Sequence, residues 1–329
     1  MTAEAFVGEP LVLVVPQWQG SSVADPLPLA AGARRSAQLL RPDAPVEIDA
    51  SGGGEPTAGE RTASEPTAGE PTAGEPTAGG RDEAVEAGVA VRNAPALVRN
   101  AALVRAALAT LATRAPDRPV VTLGGDCGVE LEPVAATVAR YGGDVAVVWF
   151  DAHGDLNAPA ESPSGAFHGM VLRTLLGEGP ADLLPPTDSR LTPEQVVLAG
   201  TRALDAAEEA YLARTGIRVV GTLDDPAAVT EAVAATGASR VYVHLDLDVF
   251  DPAEFSGLSY PEPNGATAEQ VCAALRALTA RFALVGLAVT EHEPAEEPQA
   301  AASDARILHD VFTAAGLATL LRDPAEAPN

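Results

Sequence analysis

Two short clusters of acidic residues and histidine carry the strongest chemical signal in the chain. The first reads Asp-Ala-His-Gly-Asp-Leu-Asn over residues 151–157, and the second reads Asp-Leu-Asp-Val-Phe-Asp-Pro over residues 246–252. Each follows an apolar run that is typical of a buried strand. If the chain is still extended there, a period of two turns the polar side chains of each cluster to one side. We therefore predict that they converge where the two strands end.

Carboxylates gathered above a dry sheet cannot all stay ionised by themselves, because like charges and burial both raise their pKa. A divalent cation removes this conflict. Carboxylates with an imidazole suit Mn²⁺ or a similar ion, and two ions that share an aspartate can together activate one water for hydrolysis. The alternative is that Asp151 and Asp246 are helix caps or loop residues on a solvated edge. Two such clusters at strand ends favour the metal site.

The elements that must position these clusters follow from the alternation of β-branched runs with Ala- and Leu-rich stretches. The predicted strands are Leu11–Val15, Val46–Ile48, Val120–Leu123, Val145–Phe150, Val196–Ala199, Arg218–Val220, Val241–Leu245 and Leu284–Val289. The predicted helices are Ala94–Thr113, Glu130–Tyr141, His168–Leu176, Ala206–Thr215, Ala227–Ala235, Ala268–Ala280 and Ser303–Leu321. Strands that are apolar on both faces and separated by helices predict a three-layer α/β/α domain with a central parallel sheet of about eight strands. Ligands of such sheets bind beyond the carboxyl ends of the strands.

Residues 51–80 depart from this alternation. They contain four copies of the pentapeptide Glu-Pro-Thr-Ala-Gly and one decayed copy, with no large apolar side chain to bury. Such composition predicts a disordered insertion. We expect it to interrupt a single catalytic domain that spans residues 1–329.

Composition excludes several classes of partner. The 46 acidic against 21 basic residues give a formal charge of −25, which argues against nucleic acid. The apolar run Leu11–Val15 is far shorter than a membrane span, so we expect the protein not to associate with a membrane. Two distant cysteines, Cys127 and Cys272, predict no disulfide framework and a cytoplasmic protein.

Four segments in order resemble the motifs of the arginase and agmatinase (ureohydrolase) family. They are the two clusters, the segment Ser164–Gly169 between them, and Glu291–Pro294 near the end, so that the resemblance covers roughly residues 120–294. It implies an arginase-like fold and a hydrolase that acts on C–N bonds of linear amidines. It also implies one or two Mn²⁺ ions or another divalent metal, a small guanidino substrate, and a homo-oligomer such as a trimer or a hexamer.

The resemblance assigns a role to each matching residue. It implies that Asp151 and Asp246 bridge two metals. Asp155, with Cys127, completes the first site, and His153 and Asp248 complete the second. The catalytic residues that it implies are His168 as proton shuttle, Glu291 as the carboxylate that pairs with the substrate guanidinium, and Asp155. By the simpler reading His168 caps a helix and Glu291 is a loop carboxylate.

One residue departs from the family pattern at a metal ligand. The family usually has Gly-Gly-Asp-His after the strand where this chain has Gly124-Gly125-Asp126-Cys127. Thiolate is a soft ligand and Mn²⁺ a hard ion, so we expect the first site to be weak, vacant or selective for another metal. Hydrolases of hydroxyarginine are similar in carrying cysteine here. Alternatively, Cys127 is a buried thiol. His244, His292 and His309 are not expected to be ligands.

Three further positions bear on the substrate. Asn157, Ser164 and Asp205 resemble residues with which arginases recognise the α-amino and α-carboxylate groups, although Ser164 or Asp205 could equally cap a helix. The resemblance favours arginine or Nω-hydroxyarginine, cleaved to urea or hydroxyurea and an amine such as ornithine. Tyr260 is expected to narrow the pocket. The alternatives are a hydrolase of agmatine, guanidinobutyrate or formiminoglutamate, and a metal-binding homologue without catalysis.

Overall fold

A computed structural model describes residues 6, 9–23, 25, 27–41, 45–50 and 91–322. Its eight strands form one parallel sheet in the order β2-β1-β3-β8-β7-β4-β5-β6. The strands are β1 Leu11–Val15, β2 Val46–Glu47, β3 Val120–Gly124, β4 Val145–Phe150, β5 Val196–Ala199, β6 Arg218–Val220, β7 Arg240–Asp246 and β8 Ala283–Thr290. The helices are α1 Leu27–Gln38, α2 Ala94–Arg114, α3 Leu131–Tyr141, α4 Val171–Leu175, α5 Ala206–Thr215, α6 Pro226–Ala234, α7 Ala268–Arg281 and α8 Pro298–Ala314. The predicted eight-stranded α/β fold is confirmed, and the predicted insertion 51–80 lies outside the described residues.

The central strands are buried on both faces because helices cover the sheet on each side. All six residues of β4 are buried, and they alternate between the two main apolar clusters of the core. Val148 and Phe150 belong to one cluster, whereas Val147 and Trp149 belong to the other. This two-sided burial explains why the strands are apolar throughout and show no polar alternation.

The pairing of β4 with β7 brings the two polar clusters together. Phe150, the last residue of β4, lies opposite Leu245, and Trp149 lies opposite His244. The residues that follow, Asp151 and Asp246, therefore leave the sheet side by side. This juxtaposition was expected from the sequence on the ground that parallel strands end at a common edge.

One helix prediction had the wrong bounds, and one helix was not predicted. The last helix was predicted at residues 303–321 but spans Pro298–Ala314, because the Glu297 carboxylate caps its first turn through the Ala300 amide and Gly316, at φ 90°, follows its end. Helix α1 was not predicted. Its buried face includes the small residues Gly32, Ala33 and Ser36, which give a weak apolar signal. A Cβ on Gly32 would lie 1.6 Å from the His292 carbonyl oxygen, so the close approach of this helix requires glycine.

Helix α2 is, by length and composition, the one described helix apolar enough to cross a membrane. In the structure it lies on the sheet. Val104 and Leu108 pack in the cluster that contains Leu13 and Val15 of β1. This packing accounts for its apolar face.

Candidate metal centre and active site

Three strands end in the same kind of turn, in which an aspartate accepts a hydrogen bond from the backbone amide two residues later. The distances are 2.6 Å from the His153 nitrogen to Asp151 Oδ1, 2.8 Å from the Asp248 nitrogen to Asp246 Oδ1, and 2.8 Å from the Gly128 nitrogen to Asp126 Oδ1. The extended chain on which the expected convergence of residues 151–157 depended is not present, because β4 ends at Phe150. The side chains converge because these aspartate turns fold each polar cluster back over the edge of the sheet.

Asp155 and Glu291 reach the site through left-handed backbone. Their φ angles are 53° and 59°, in a region that few residues other than glycine adopt. Such conformations persist where the surroundings hold them, and they are frequent at functional sites. Here the carbonyl of Asp155 accepts from the Arg173 amide, and the amide of Glu291 donates to the Gly125 carbonyl.

One group of potential ligands lies at the floor of the site and is named here the deep subsite. It consists of Cys127, Asp151, Asp155 and His244, each of which offers one ligand atom within 4.8 Å of the others. The first three are predicted ligands, whereas His244 was not expected to be one. This histidine lies in β7 two residues before Asp246, and this spacing in a strand, which puts both side chains on one face, is the signal that could have found it.

A second group, named the pocket subsite, shares Asp151 and adds His153 and Asp248. His153 Nδ1 lies 2.8 Å from Asp248 Oδ2 and 3.5 Å from Asp151 Oδ1. Burial opposes the charged imidazole, but its hydrogen bonds to Asp151 and Asp248 outweigh this effect and raise the pKa of His153 to about 12. Burial and the Asp151 charge raise the pKa of Asp248 to about 7.

Asp246 and Glu291 connect the two subsites to the rest of the site. The Cys127 thiol donates to Asp246 Oδ2 at 3.0 Å, and the Cys127 amide donates to Glu291 Oε1 at 3.0 Å. Glu291 Oε1 also lies 3.3 Å from His168 Nδ1. Besides Cys127, seven residues are predicted to be catalytic or metal-binding. All seven lie in one cluster with Cys127, namely Asp151, His153, Asp155, His168, Asp246, Asp248 and Glu291.

These residues fit a divalent metal centre. The carboxylates of Asp151, Asp155, Asp246 and Asp248 are at most 4% exposed. Burial, and then the charges of neighbouring carboxylates, raise the pKa of Asp155 and Asp246. Asp155 Oδ2 is buried with no hydrogen-bond partner. A cation among these oxygen, nitrogen and sulfur donors would neutralise the carboxylates and give that oxygen a partner.

A pocket of about 270 Å³ opens above the metal-binding residues. Asn157, Ser164, Asp205 and His168 line it, whereas Glu291 does not and lies 3.3 Å from the His168 ring. Tyr260 lines the pocket as predicted. Its hydroxyl lies 2.9 Å from each of the Ser21 and Ser22 hydroxyls, and its ring centroid lies 4.9 Å from that of His168.

Asp205 uses its two carboxylate oxygens differently. Oδ1 accepts from the amides of Ala207 and Glu208 at 2.9 Å and caps α5, while Oδ2 accepts from Asn157 Nδ2 at 2.8 Å on the pocket side. Capping is therefore part of its role. Glu208, which sequence reasoning missed, closes the capping box and also accepts from the Leu156 amide, so it joins this helix to the first polar cluster.

The Arginase family model matches residues 81–313. The chain belongs to the arginase family. Arginase family members are hydrolases that act on C–N bonds of amidines and guanidines.

Among its relatives, the arginase of Staphylococcus aureus (strain MRSA252) is 34% identical over 182 residues, which are 53% of this chain and 60% of the relative. The arginase of Bacillus subtilis (strain 168) is 35% identical over 153 residues, 44% of this chain and 51% of the relative. The chain thus spans about half to 60% of the length of the curated relatives it matches.

Solved structures of the family share the fold over nearly the whole chain. Entamoeba histolytica arginase in complex with L-ornithine superposes with a TM-score of 0.71 at 21% identity, covering 95% of this chain and 98% of that one. Bacillus caldovelox arginase gives a TM-score of 0.69 at 25% identity, with coverages of 93% and 98%. Bacillus subtilis formimidoylglutamase gives 0.61 at 16% identity, with coverages of 97% and 89%.

Proposed function

We propose that this arginase-family chain is a metal-dependent ureohydrolase that cleaves the guanidino group of an α-amino acid, arginine or Nω-hydroxyarginine. The products would be urea or hydroxyurea and an amine such as ornithine. One observation carries the proposal: Asp155, Asp246 and Asp248, which belong to the metal centre, line the same pocket as Asn157, Ser164 and Asp205.

The charge of the pocket supports a cationic substrate. Its described lining includes five carboxylates and no arginine; the five are Asp155, Asp205, Glu208, Asp246 and Asp248. Two divalent ions would at most balance the four aspartates of the metal centre. Asp205, Glu208 and the nearby Glu291 would remain to attract a guanidinium or an ammonium group.

The metal would supply a water of lowered pKa as the nucleophile at neutral pH. We expect Mn²⁺ at the pocket subsite, because its donors are two carboxylates and one imidazole. The remaining chemistry belongs to protein side chains.

His168 has the position and the charge to protonate the leaving amine. It lines the pocket, and its Nδ1 lies 3.3 Å from Glu291 Oε1. Burial opposes protonation of the ring, but the hydrogen bond and the charge of Glu291 outweigh it and raise the pKa of His168. The raised pKa favours the protonated imidazole, which is the form that a general acid requires.

Glu291 has an unused acceptor for the substrate guanidinium. Oε1 is already bonded to the Cys127 amide, whereas Oε2 is buried without a partner. Glu291 and Asp246 offer oxygens within 4.8 Å of each other, and Asp246 lines the pocket. A guanidinium N–H donated to Oε2 would hold the reacting carbon beside the metal ligands.

The outer part of the pocket offers complementary groups for an α-amino acid. Asp205 is negatively charged, and Asn157 Oδ1 is a buried acceptor with no partner, so both suit an α-ammonium group. Ser164 Oγ accepts from the Ala166 amide at 3.2 Å, and its O–H can donate to an α-carboxylate. Agmatine lacks the carboxylate and guanidinobutyrate lacks the ammonium group, so neither would engage all three side chains.

Product analysis tests the proposal. The full chain, loaded with Mn²⁺, is incubated with arginine, Nω-hydroxyarginine, agmatine, guanidinobutyrate and formiminoglutamate, and urea and amine release are measured. We expect kcat/KM to be highest for one of the two α-amino acid guanidines. A higher value for agmatine or guanidinobutyrate would overturn the substrate assignment. Bound metal without turnover of any substrate would identify a metal-binding homologue without catalysis.

A further inference from the structure

The His244 ring lies in the deep subsite without a direct partner that accounts for its position. Its side chain is fully buried, and its Nδ1 has no hydrogen-bond partner. Nε2 lies 3.8 Å from Asp151 Oδ2 and Nδ1 lies 3.6 Å from Glu130 Oε2, both too far for a hydrogen bond. The Cys127 thiol, at 3.7 Å from Nε2, is a weak partner.

These separations match those of donor atoms around one small ion. Metal–sulfur and metal–nitrogen bonds of about 2.3 and 2.0 Å at a tetrahedral ion place the two donor atoms roughly 3.5 Å apart. The observed distance from Cys127 Sγ to His244 Nε2 is 3.7 Å. Asp155, whose Oδ2 is buried and has no partner, belongs to the same group. The group therefore contains a thiol, an imidazole and two carboxylates around a common centre.

Residues next to His244 fix the orientation of its ring, as residues next to a metal-binding histidine typically do. Trp149, its register neighbour in β4, stacks on it with centroids 3.5 Å apart and planes 15° apart. Glu130 faces Nδ1, and the Tyr242 hydroxyl fixes the other Glu130 oxygen at 3.1 Å. A carboxylate on the far side of the ring typically sets the tautomer and orientation of a metal-binding histidine.

We propose that His244 is a metal ligand through Nε2, together with Cys127, Asp151 and Asp155, and that Glu130 positions its ring. This mixed set selects a thiolate-accepting divalent ion such as Zn²⁺ or Co²⁺ over Mn²⁺. The centre would then hold two different metals, a softer ion in the deep subsite and a harder one in the pocket subsite. The inference deepens the proposed function, on which it rests for the need for a metal.

Binding changes the protonation of the deep subsite. The S–H group of Cys127 now donates to Asp246, and a bound metal would take the sulfur as thiolate, so that the thiol proton would leave to solvent. His244 binds as the neutral ring with its proton on Nδ1, facing Glu130. Metal titration should therefore release protons as it proceeds.

The first experiment titrates the metal-free full-length chain with Co²⁺ and records the thiolate-to-cobalt charge-transfer band. We expect the band in the wild type and its loss in Cys127→Ser. Cys272→Ser, which removes the other buried cysteine, is the matched control and should keep the band. Glu130→Gln should weaken Co²⁺ binding about 10- to 100-fold, and His244→Asn by more. His309→Asn is the matched histidine control and should bind as the wild type does. Unchanged affinity and an unchanged spectrum in His244→Asn would overturn the proposal.

The second experiment does not depend on the folding of a His244 variant. The pocket-subsite variant His153→Asn is loaded with one equivalent of Zn²⁺ and studied by X-ray absorption. We expect one sulfur and one imidazole in the first shell, because His244 is then the one histidine in the ligand groups of the described residues. Sulfur without imidazole scattering would overturn the role of His244. Both experiments measure binding, so metal held through His244 without hydrolysis of a guanidino compound would overturn only the proposed function.

Discussion

The deep subsite and the pocket subsite share Asp151 but lie in different surroundings. The residues of the deep subsite are at most 4% exposed, whereas the His153 side chain of the pocket subsite is 32% exposed. Enclosed ligands cannot exchange their partners for water, so they govern which metal binds and how much it stabilises the fold. Ligands beside the pocket meet water and substrate, so they govern turnover. Four substitutions test this division, and a fifth, at His292, lies outside both subsites. They follow in order of decreasing expected effect.

Asp151→Asn should impair both metal binding and turnover, because Asp151 belongs to both subsites. We expect turnover to fall to background and metal content to fall in both subsites.

Chelation of the wild type should lower Tm by about 5–10 °C, since saturating metal contributes about 2.7 kcal/mol at a hundredfold excess over Kd. Elemental analysis and calorimetry measure these effects. An unchanged Tm after verified metal removal would contradict the assignment.

His168→Ala should affect only the pocket side. His168 lies in the pocket and belongs to no group of potential metal ligands among the described residues. We expect kcat to fall about 10²- to 10⁴-fold with metal content unchanged, as for loss of a general acid. His309→Ala, on α8, is the control. Equal losses of metal and turnover would place His168 among the ligands.

His292→Gln should change stability, and in a pH-dependent way. Burial lowers the pKa of His292 to about 4, from about 6.5 in the unfolded chain, so the unfolded state binds more protons between these values. The wild type therefore has its full free energy of unfolding above pH 6.5. As the pH falls to 4, its free energy of unfolding decreases by about 3 kcal/mol relative to that of the variant. Denaturant unfolding of both proteins across this range measures the difference. Parallel curves would contradict the prediction, and His309→Gln should follow the wild type.

Cys127→His should show that the deep subsite accommodates one imidazole. Cys127 is 1% exposed and lies 3.7 Å from His244 Nε2, so a second ring is overpacked and should cost about 1–3 kcal/mol. Adding His244→Ala should relieve this cost and raise Mn²⁺ binding, because imidazole is a harder ligand than thiolate. A double-mutant cycle on the free energy of unfolding measures the coupling. Additive effects would show that the two side chains do not share one space.

Asp205→Asn should have the smallest effect, on specificity alone. Asparagine is also a good N-cap, so α5 should keep its stability. Loss of the charge should reduce the preference for arginine over guanidinobutyrate, which lacks the ammonium group, by about tenfold, or 1.4 kcal/mol. Asp225→Asn, at the N-cap of α6, is the matched control. An unchanged substrate ratio would leave Asp205 as a capping residue.

The sequence indicated most of the fold because its strands are apolar on both faces and its helices separate them. It also located Asp151, His153, Asp246 and Asp248, because a polar cluster directly after a buried strand must lie at the edge of the sheet. The conformation of these clusters was not predicted: alternation suggested an extended chain, whereas hydrogen bonds from backbone amides to Asp151 and Asp246 form turns.

His244 is what only the tertiary structure decided. In the sequence it is one polar residue within a buried strand, and Cys127 is 117 residues away. They meet because strand order places β8 between β3 and β7, and because the turn after β3 carries Cys127 to the face on which His244 lies. Contacts of this kind depend on strand order and register, which are set by long-range packing. Local sequence therefore determines which side chains reach the edge of the sheet, and the packed sheet determines which of them share a metal.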